Sequence, residues 1–263
     1  MENSTAAEVD VIPQGVRIVN SFILTAITVI GIAGNTLVFT AYCLSRRLQT
    51  KSNIFVINLA TADFLTCLSL PVITFFLLLD VDGHTKPWMD ILCTIDFGAF
   101  GIFVQTSFMT LAFIAVNRYV LITKSQKTYK WLYQRKFVFI FLCVSWLCPT
   151  FLVTLPLVFG ALHIGYDENL HACGALTDHP ESHQIYNLIS FCITIIQITM
   201  IVYSYGRIYL FLRRHNKKIL EGKVKDRKLF CRSLCCEKSN SGPKGHAVEC
   251  VFQSSQRCKS ISG

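Results

Sequence analysis

Residues 91–122 read ILCTIDFGAFGIFVQTSFMTLAFIAVNRYVLI, and their only charged side chains, Asp96 and Arg118, stand towards the two ends. A helix rises about 1.5 Å per residue, so this stretch is long enough to cross a hydrocarbon core about 30 Å thick. Polar groups are costly in lipid, so we expect the stripe that contains Asp96, Ser107 and Arg118 to face other helices. The fold is therefore organised around a membrane-spanning helix.

Four more apolar segments of this kind run through the chain. Each exceeds the length of about 18 residues that marks a transmembrane helix. The five predicted spans are residues 16–44, 54–79, 91–122, 137–162 and 185–212. The sequence thus predicts an all-α membrane protein with an amino-terminal tail (1–15) and a five-helix bundle (16–215). Residues 216–263 contain no long apolar run, and we expect a disordered tail there.

The distribution of charge predicts the orientation of the spans. If the amino terminus lies outside the cell, Arg17 and Lys86 are the only Lys or Arg of the outer segments, and the others face the cytoplasm. The net charge of +9 is then explained by topology and by the lipid bilayer, without nucleic acid as a partner. Residues 1–15 have no basic leader, so the first helix is expected to direct insertion. Asn3 begins an Asn-Ser-Thr sequon on the outer side, which predicts glycosylation.

The same orientation sorts the twelve cysteines. Only Cys93 and Cys173 lie on the oxidising side, because the others fall within spans or in the cytoplasmic tail. Elimination therefore pairs Cys93 with Cys173 in a disulfide bond.

Three signatures, taken in order, resemble one family. The first span contains Gly34-Asn35, the second begins with NLATAD (58–63), and the third ends with Asn-Arg-Tyr (117–119). This order resembles the rhodopsin-like (class A) G-protein-coupled receptors, whose third helix usually ends in Asp-Arg-Tyr. The Asn-Arg-Tyr of this chain resembles the tripeptide at the same place in melatonin receptors. The resemblance implies a seven-helix receptor fold in the plasma membrane that joins an extracellular ligand to a heterotrimeric G protein, and the family disulfide agrees with the Cys93–Cys173 pair.

The resemblance also assigns roles at the cytoplasmic end. It implies that Asn117, Arg118 and Tyr119 form the G-protein-coupling segment, and that Tyr205 swings inward to meet Arg118 on activation. Asparagine cannot hold Arg118 in an ion pair as aspartate would. We therefore expect a weaker inactive-state lock and appreciable basal activity in a complete receptor.

A polar cluster inside the bundle has two interpretations. In the family, residues that match Asp63 and Ser107 line a sodium pocket, with the match of Asn35 nearby, which implies Na⁺ as a possible allosteric modulator and no other cofactor. The alternative is a structural cluster that joins three helices, because polar side chains need partners in lipid. Trp146 stands where the family packs a tryptophan near the asparagine that Asn58 matches.

The ligand class stays open. The candidate pocket residues are Asp96, Phe100, Gly101 and Val104. Monoamine receptors carry an aspartate where Phe100 lies, so a simple protonated amine is disfavoured, although Asp96 can still meet a cation. Leu157 stands where melatonin receptors carry a ligand-contacting asparagine. An apolar or indole-like molecule, a lipid and a peptide all remain.

The chain also departs from the family. Gln197 replaces a proline of the fifth helix, and Ser125 replaces a proline of the second cytoplasmic loop. The resemblance covers five of seven helices, and without a sixth helix we expect no G-protein coupling from these residues alone. The alternative function is a non-signalling truncated receptor that forms homo- or hetero-oligomers with full-length receptors and retains them. Paired carboxylates, a metal motif and internal repeats are missing from the sequence, so an enzyme is disfavoured.

Two histidines of the outer loop form a weaker candidate site. His179 and His183 are four residues apart, and they share a helical face if the fifth helix begins at residues 180–182. Such a pair can bind zinc or titrate near neutral pH. Solvated histidines without a role are commoner, so a pH-dependent ligand response is only a secondary expectation.

Overall fold

A computed structural model of the chain describes residues 13–50, 52–79, 87–160, 162–167, 171–176 and 180–239. Within these ranges the chain forms helices connected by short turns and one hairpin of two strands. The helices are α1 (Gln14–Leu44), α2 (Asn53–Leu78), α3 (Pro87–Thr123), α4 (Gln126–Leu132), α5 (Arg135–Val158) and α6 (Pro180–Ser239), with a 3-10 turn at Arg46–Leu48. The strands are β1 (His163–Asp167) and β2 (Ala172–Leu176).

Five of the described helices are long and apolar enough to cross a membrane, which confirms the five predicted spans. The central helix, α3, begins at Pro87 and not at residue 91, and α6 begins at Pro180 and not at residue 185. Proline is favoured in the first helical turn because its φ angle is already helical and its missing N–H has no partner there. The apolar run therefore predicts the first residue of both helices too late in the chain.

Helix α6 also extends beyond the predicted span, to Ser239. This differs from the disordered tail expected from residue 216. The extension is rich in Lys, Arg, Leu and Glu, which are good helix formers, and Lys217 Nζ lies 3.9 Å from Glu221 Oε1 one turn away. The chain divides into two compact units, residues 1–205 and 206–263, and the second begins inside this helix.

Helices α1 and α2 approach each other closely at Gly31. A Cβ atom on Gly31 would overlap Sγ of Cys67 in α2, whereas a Cβ atom on Gly34 would meet nothing within 4 Å. Small residues allow membrane helices to come this close. The close approach therefore explains the glycine at position 31 and leaves position 34 free of packing demands.

The buried apolar side chains form two clusters at opposite ends of the helices. One cluster contains Phe76, Met89, Cys93, Tyr166 and Cys173. We call this end of the bundle the disulfide end. The other cluster contains Phe55, Val120, Tyr133 and Val138. It lies near Asn117, and we call it the opposite end.

The hairpin of β1 and β2 was not predicted from sequence, and it covers the disulfide end. The strands are antiparallel, and Tyr166 pairs with Cys173. Cys173 is bonded to Cys93 of α3, with the two Cα atoms 5.2 Å apart, which confirms the predicted disulfide. Two hydrogen bonds add to this link: Thr94 Oγ1 donates to the Ile164 carbonyl at 2.8 Å, and Asp90 Oδ1 accepts from the Tyr166 N–H at 3.2 Å.

Candidate functional site

A cavity of about 350 Å³ lies beneath the hairpin, between α3, α5 and the first part of α6. Pockets of this size take small organic molecules. Most of its wall is apolar. The lining residues are Phe97, Gly98, Phe100, Gly101, Val104, Gln105, Leu152, Val153, Leu162, Ile164, Asn187 and Ser190.

The polar part of the wall consists of Gln105, Asn187 and Ser190. Gln105 is only 8% exposed, and its Nε2 atom is buried without a hydrogen-bond partner. The Oγ atom of Ser190 is buried without a partner as well. Among the described residues, no Asp, Glu, Lys, Arg or His lines the cavity. The wall therefore offers hydrogen-bonding groups and no formal charge.

Three of the four predicted pocket residues line the cavity, and the fourth does not. Phe100, Gly101 and Val104 line the cavity. Asp96 is not part of the lining: its side chain is buried beside Ser69 of α2, and its Oδ2 atom is buried without a hydrogen-bond partner. An ionisable residue at the mouth of a span attracts attention in a sequence, but here it lies outside the cavity wall.

Sequence reasoning missed the three polar lining residues. Gln105 stands four residues after Gly101, on the same helical face, and a glutamine within an apolar span was the available signal. Asn187 and Ser190 are three residues apart in α6, which also places them on one face. These positions identify a cavity wall only once the packing of α3 against α6 is known.

The predicted sodium-pocket residues are partly brought together. Ser107 Oγ donates to Asp63 Oδ1 at 2.5 Å, which joins α3 to α2. Asn35 Nδ2 instead donates to the Gly31 carbonyl of its own helix at 2.9 Å. The pair is therefore a link between α2 and α3, and its carboxylate and hydroxyl oxygens are ligands that hard cations take.

Asn58 connects three helices in the middle of the bundle. Its Nδ2 atom donates to Thr110 Oγ1 at 2.8 Å and to Ser145 Oγ at 3.2 Å. Its Oδ1 atom accepts from Trp146 Nε1 at 2.8 Å. The expected contact between Asn58 and Trp146 is thus present, and it ties α2 to α3 and α5.

At the opposite end, the three residues of the Asn-Arg-Tyr tripeptide have different surroundings. Asn117 is 1% exposed and donates from Nδ2 to Ser52 Oγ at 2.7 Å, while its Oδ1 atom is buried without a partner. Arg118 is exposed. The ring of Tyr119 lies edge-on to Tyr203 of α6, with 6.4 Å between ring centroids.

Tyr205, the predicted partner of Arg118, is 51% exposed. The aromatic contact from α6 to the tripeptide is therefore made by Tyr203, two residues earlier. The role of Tyr205 on activation stays a prediction, since a single arrangement of the helices does not test it.

The last turn of α2 is capped by Arg17, for which sequence analysis predicted a side of the membrane and no contact. Arg17 of α1 is 7% exposed, and it donates from Nε to the Leu77 carbonyl at 2.8 Å and from Nη2 to the Leu79 carbonyl at 3.3 Å. The Tyr166 hydroxyl donates to the Leu79 carbonyl at 3.4 Å. Terminal helical carbonyls lack intrahelical partners, so these side chains cap α2 at the disulfide end.

The two departures from the family have local solutions. Gln197 is 2% exposed within an uninterrupted helix, and its Nε2 atom lies 4.0 Å from Met109 Sδ. Ser125 is the N-cap of α4, where its Oγ atom accepts from the Thr128 N–H at 3.3 Å. Both residues therefore replace proline with a side chain that contacts its surroundings.

Some predictions lie outside the described residues. Asn3 and His179 are among them, and for His183 the structure describes the helix but not the side chain. Helix α6 does begin at Pro180, as the histidine argument requires. Glycosylation and the histidine site stay predictions.

Comparison with known proteins adds independent information. A family model described as "7 transmembrane receptor (rhodopsin family)" matches residues 34–241. Melanopsin-B of Xenopus laevis is 29% identical over 208 residues, which cover 78% of this chain and 38% of the relative. Somatostatin receptor type 2 of Mus musculus is 33% identical over 141 residues, which cover 54% of this chain and 37% of the relative.

Solved structures agree on the fold. The crystal structure of squid rhodopsin matches with a TM-score of 0.66 at 24% identity, over 82% of this chain and 58% of that chain. The chain spans less than half the length of the curated relatives named above.

Proposed function

Because the chain belongs to the rhodopsin family of seven-transmembrane receptors, we propose that it binds an extracellular ligand and acts on a heterotrimeric G protein. The observation that carries this proposal is the cavity of about 350 Å³ beneath the hairpin. Its cover is fixed to α3 by the Cys93–Cys173 disulfide, so the cavity has a defined shape before anything binds. Phe100, Gly101 and Val104 contact the ligand from α3.

The signal passes to the opposite end through the packing of α3 against its neighbours. A ligand shifts the balance between two packings only by binding one of them more tightly. Arg118 is exposed and contacts the G protein, while Asn117 and Tyr119 hold the end of α3 against Ser52 and Tyr203. Movement of α3 or α6 changes these contacts, and Tyr205 then turns towards Arg118.

Na⁺ is proposed as a modulator bound by Asp63 and Ser107. The fit is limited to two oxygen-bearing side chains, because Asn35 donates to its own helix. The test is the thermal unfolding midpoint with NaCl and with N-methylglucamine chloride at equal ionic strength. We expect NaCl to raise the midpoint of the wild type but not of Asp63→Asn, while Asp226→Asn, an exposed control, keeps the response. An equal response of all three proteins would exclude Na⁺ at this pair.

We propose that the protein lies in the plasma membrane with its amino terminus outside. The support is the family and the asymmetry of Lys and Arg along the chain. Accessibility of a tag before residue 13 to antibody on intact cells tests the orientation.

The test of coupling compares this chain of 263 residues with the longest reading frame of its transcript. Each form is purified in lipid nanodiscs, and nucleotide exchange on purified heterotrimeric G proteins is measured. We expect basal exchange from a form that contains all seven spans, loss of that exchange in Arg118→Ala, and none from the 263 residues alone. Exchange that is unchanged in Arg118→Ala would contradict the assignment of Arg118. The matched control is Arg47→Ala, another exposed arginine.

The alternative function, retention of full-length receptors by association, is supported by one observation. The described part of α6 in the first unit exposes large apolar side chains, Phe191, Ile196 and Val202 among them, and these side chains are open to lipid or to another receptor. The alternative predicts that coexpression lowers the surface amount of a full-length relative. Substitution of these three residues by alanine would then restore it.

A further inference from the structure

We infer that the cavity takes an uncharged, largely apolar small molecule that presents a hydrogen-bond acceptor to the side-chain amide of Gln105. The inference rests on the proposed ligand-binding role of the cavity and adds the chemical class of the ligand. It comes from the lining residues of this chain, not from the ligands of its relatives.

The described wall of the cavity has no formal charge. Among the described lining residues none is ionisable at neutral pH. A charged group that leaves water needs a partner of opposite charge, because burial without one has a large desolvation cost. The strands of the covering hairpin, His163–Asp167 and Ala172–Leu176, contain no Lys or Arg, so a carboxylate or phosphate ligand finds no permanent cation on them.

The acids nearest the cavity lie outside its wall. Asp96 is buried beside Ser69 of α2, and Asp90 accepts a hydrogen bond from the Tyr166 N–H of the hairpin. Neither belongs to the cavity wall. A cationic amine inside the cavity therefore lacks a carboxylate partner among the lining residues.

The wall also contains an unpaired hydrogen-bond donor. Nε2 of Gln105 has no hydrogen-bond partner, although the side chain is more than nine-tenths buried and lines the cavity. A buried donor without a partner is destabilising, so a ligand that supplies an acceptor gains from pairing it. The hydroxyl of Ser190, also unpaired, can donate to the same ligand or accept from it. A carbonyl or ether oxygen on an apolar body satisfies this wall.

The test uses three probes that share one fluorinated ring and differ in charge. They are N-(para-fluorophenethyl)acetamide, which is neutral and has a carbonyl acceptor, para-fluorophenethylammonium and para-fluorophenylpropionate. Binding to the full chain in phosphatidylcholine nanodiscs is measured by broadening of the fluorine NMR signal, after subtraction of empty nanodiscs. The variant Gly101→Trp, which places an indole in the cavity, defines the binding that belongs to this site.

We expect the neutral probe to bind in a manner that Gly101→Trp abolishes, and the two ions to show no such binding. Gln105→Leu keeps the size of the side chain but removes the donor, and it should weaken the neutral probe about threefold to tenfold. Gln105→Glu places a carboxylate in the wall and should reverse the preference in favour of the ammonium probe. Gln49→Leu, at an exposed glutamine, is the matched control and should change nothing.

The outcomes separate the class of ligand from the receptor proposal. The inference is overturned, and the ligand site is kept, if either ion binds at least as tightly as the neutral probe and Gly101→Trp abolishes that binding. Lack of cavity binding by the neutral probe, or binding that Gln105→Leu leaves unchanged, overturns the inference too. Binding of the neutral probe as expected, together with a seven-span form that never stimulates nucleotide exchange, supports the inference and contradicts the proposed signalling function.

Discussion

The two ends of the bundle are held in different ways. At the disulfide end, a covalent bond fixes the hairpin to α3, Thr94 and Asp90 add hydrogen bonds, and Arg17 caps the last turn of α2. At the opposite end, the buried cluster is rich in aromatic rings, and Asn117 reaches Ser52 through one hydrogen bond. Covalent and charge-assisted links hold a geometry more firmly than neutral contacts do.

This difference suits a receptor. A cavity with a fixed cover can discriminate between molecules, because little conformational entropy is lost on binding. An end with few directional links can adopt a second packing at low cost. If the disulfide end is the more firmly held, substitutions there should destabilise the protein more than substitutions at the opposite end.

Removal of the disulfide should have the largest effect. In Cys93→Ala with Cys173→Ala we expect a loss of about 2 to 5 kcal/mol in the free energy of unfolding, since the bond closes a long loop. The thermal unfolding midpoint in detergent and the amount of protein at the cell surface measure this. Cys192→Ala, at an exposed free cysteine of α6, is the control. Free thiols at both positions in native surface protein, found by non-reducing peptide mapping, would contradict the bond itself.

Substitution of Arg17 by leucine should have the next effect. It removes the donors to the Leu77 and Leu79 carbonyls and leaves the end of α2 without them, at a cost of about 1.5 to 3 kcal/mol. The midpoint of thermal unfolding measures the loss, with Arg47→Leu at an exposed site as control. A midpoint equal to that of the control would show that the disulfide alone holds this end.

Much of the fold could be predicted from sequence because its signals are local. Length and apolarity locate the spans, and topology leaves Cys93 and Cys173 as the pair that can be oxidised. The contact between Asn58 and Trp146 followed from the family resemblance and is present at 2.8 Å. The extension of α6 was missed because an apolar run was used as the criterion, whereas its helix depends on residues such as Lys217 and Glu221.

The candidate site was harder to predict because it depends on packing between distant segments. Gln105 and Ser190 are 85 positions apart in number, and each alone looks like an ordinary polar residue of a span. Asp96 was chosen as a pocket residue because of its charge, but its position around the axis of α3 places it beside Ser69 of α2. Arg17 was predicted only to lie on the outer side, and it is buried because the end of α2 supplies carbonyl partners.

At the opposite end, Asn117→Ala should have a smaller effect than either change above. Hydrogen bonds between membrane helices average about 0.6 kcal/mol, and the substitution also removes the buried, unpaired Oδ1 atom. We expect the midpoint to fall slightly in Asn117→Ala and equally in the double variant, and to fall further in Ser52→Ala, because that change leaves Nδ2 of Asn117 buried without a partner. Additive losses in the double variant would show that the two side chains act independently. If the midpoint of Asn117→Ala fell as far as that of Arg17→Leu, the two ends would be held equally firmly.

The smallest effect concerns Tyr133, which lies between α4 and α5 in the ring cluster of the opposite end. Burial raises the pKa of Tyr133, and the neighbouring Tyr129 raises it further. The folded state therefore keeps the phenol protonated at a pH where the unfolded chain has lost the proton. Stability from this group is fully present below the ordinary tyrosine pKa of about 10 and is lost as the pH rises above it.

We expect Tyr133→Phe, which keeps the ring contacts with Phe55 and Phe141, to lose less stability above that pH than the wild type. Thermal midpoints across alkaline pH measure this, with Tyr209→Phe at an exposed ring as control, and identical alkaline profiles for all three proteins would show that Tyr133 does not limit the opposite end.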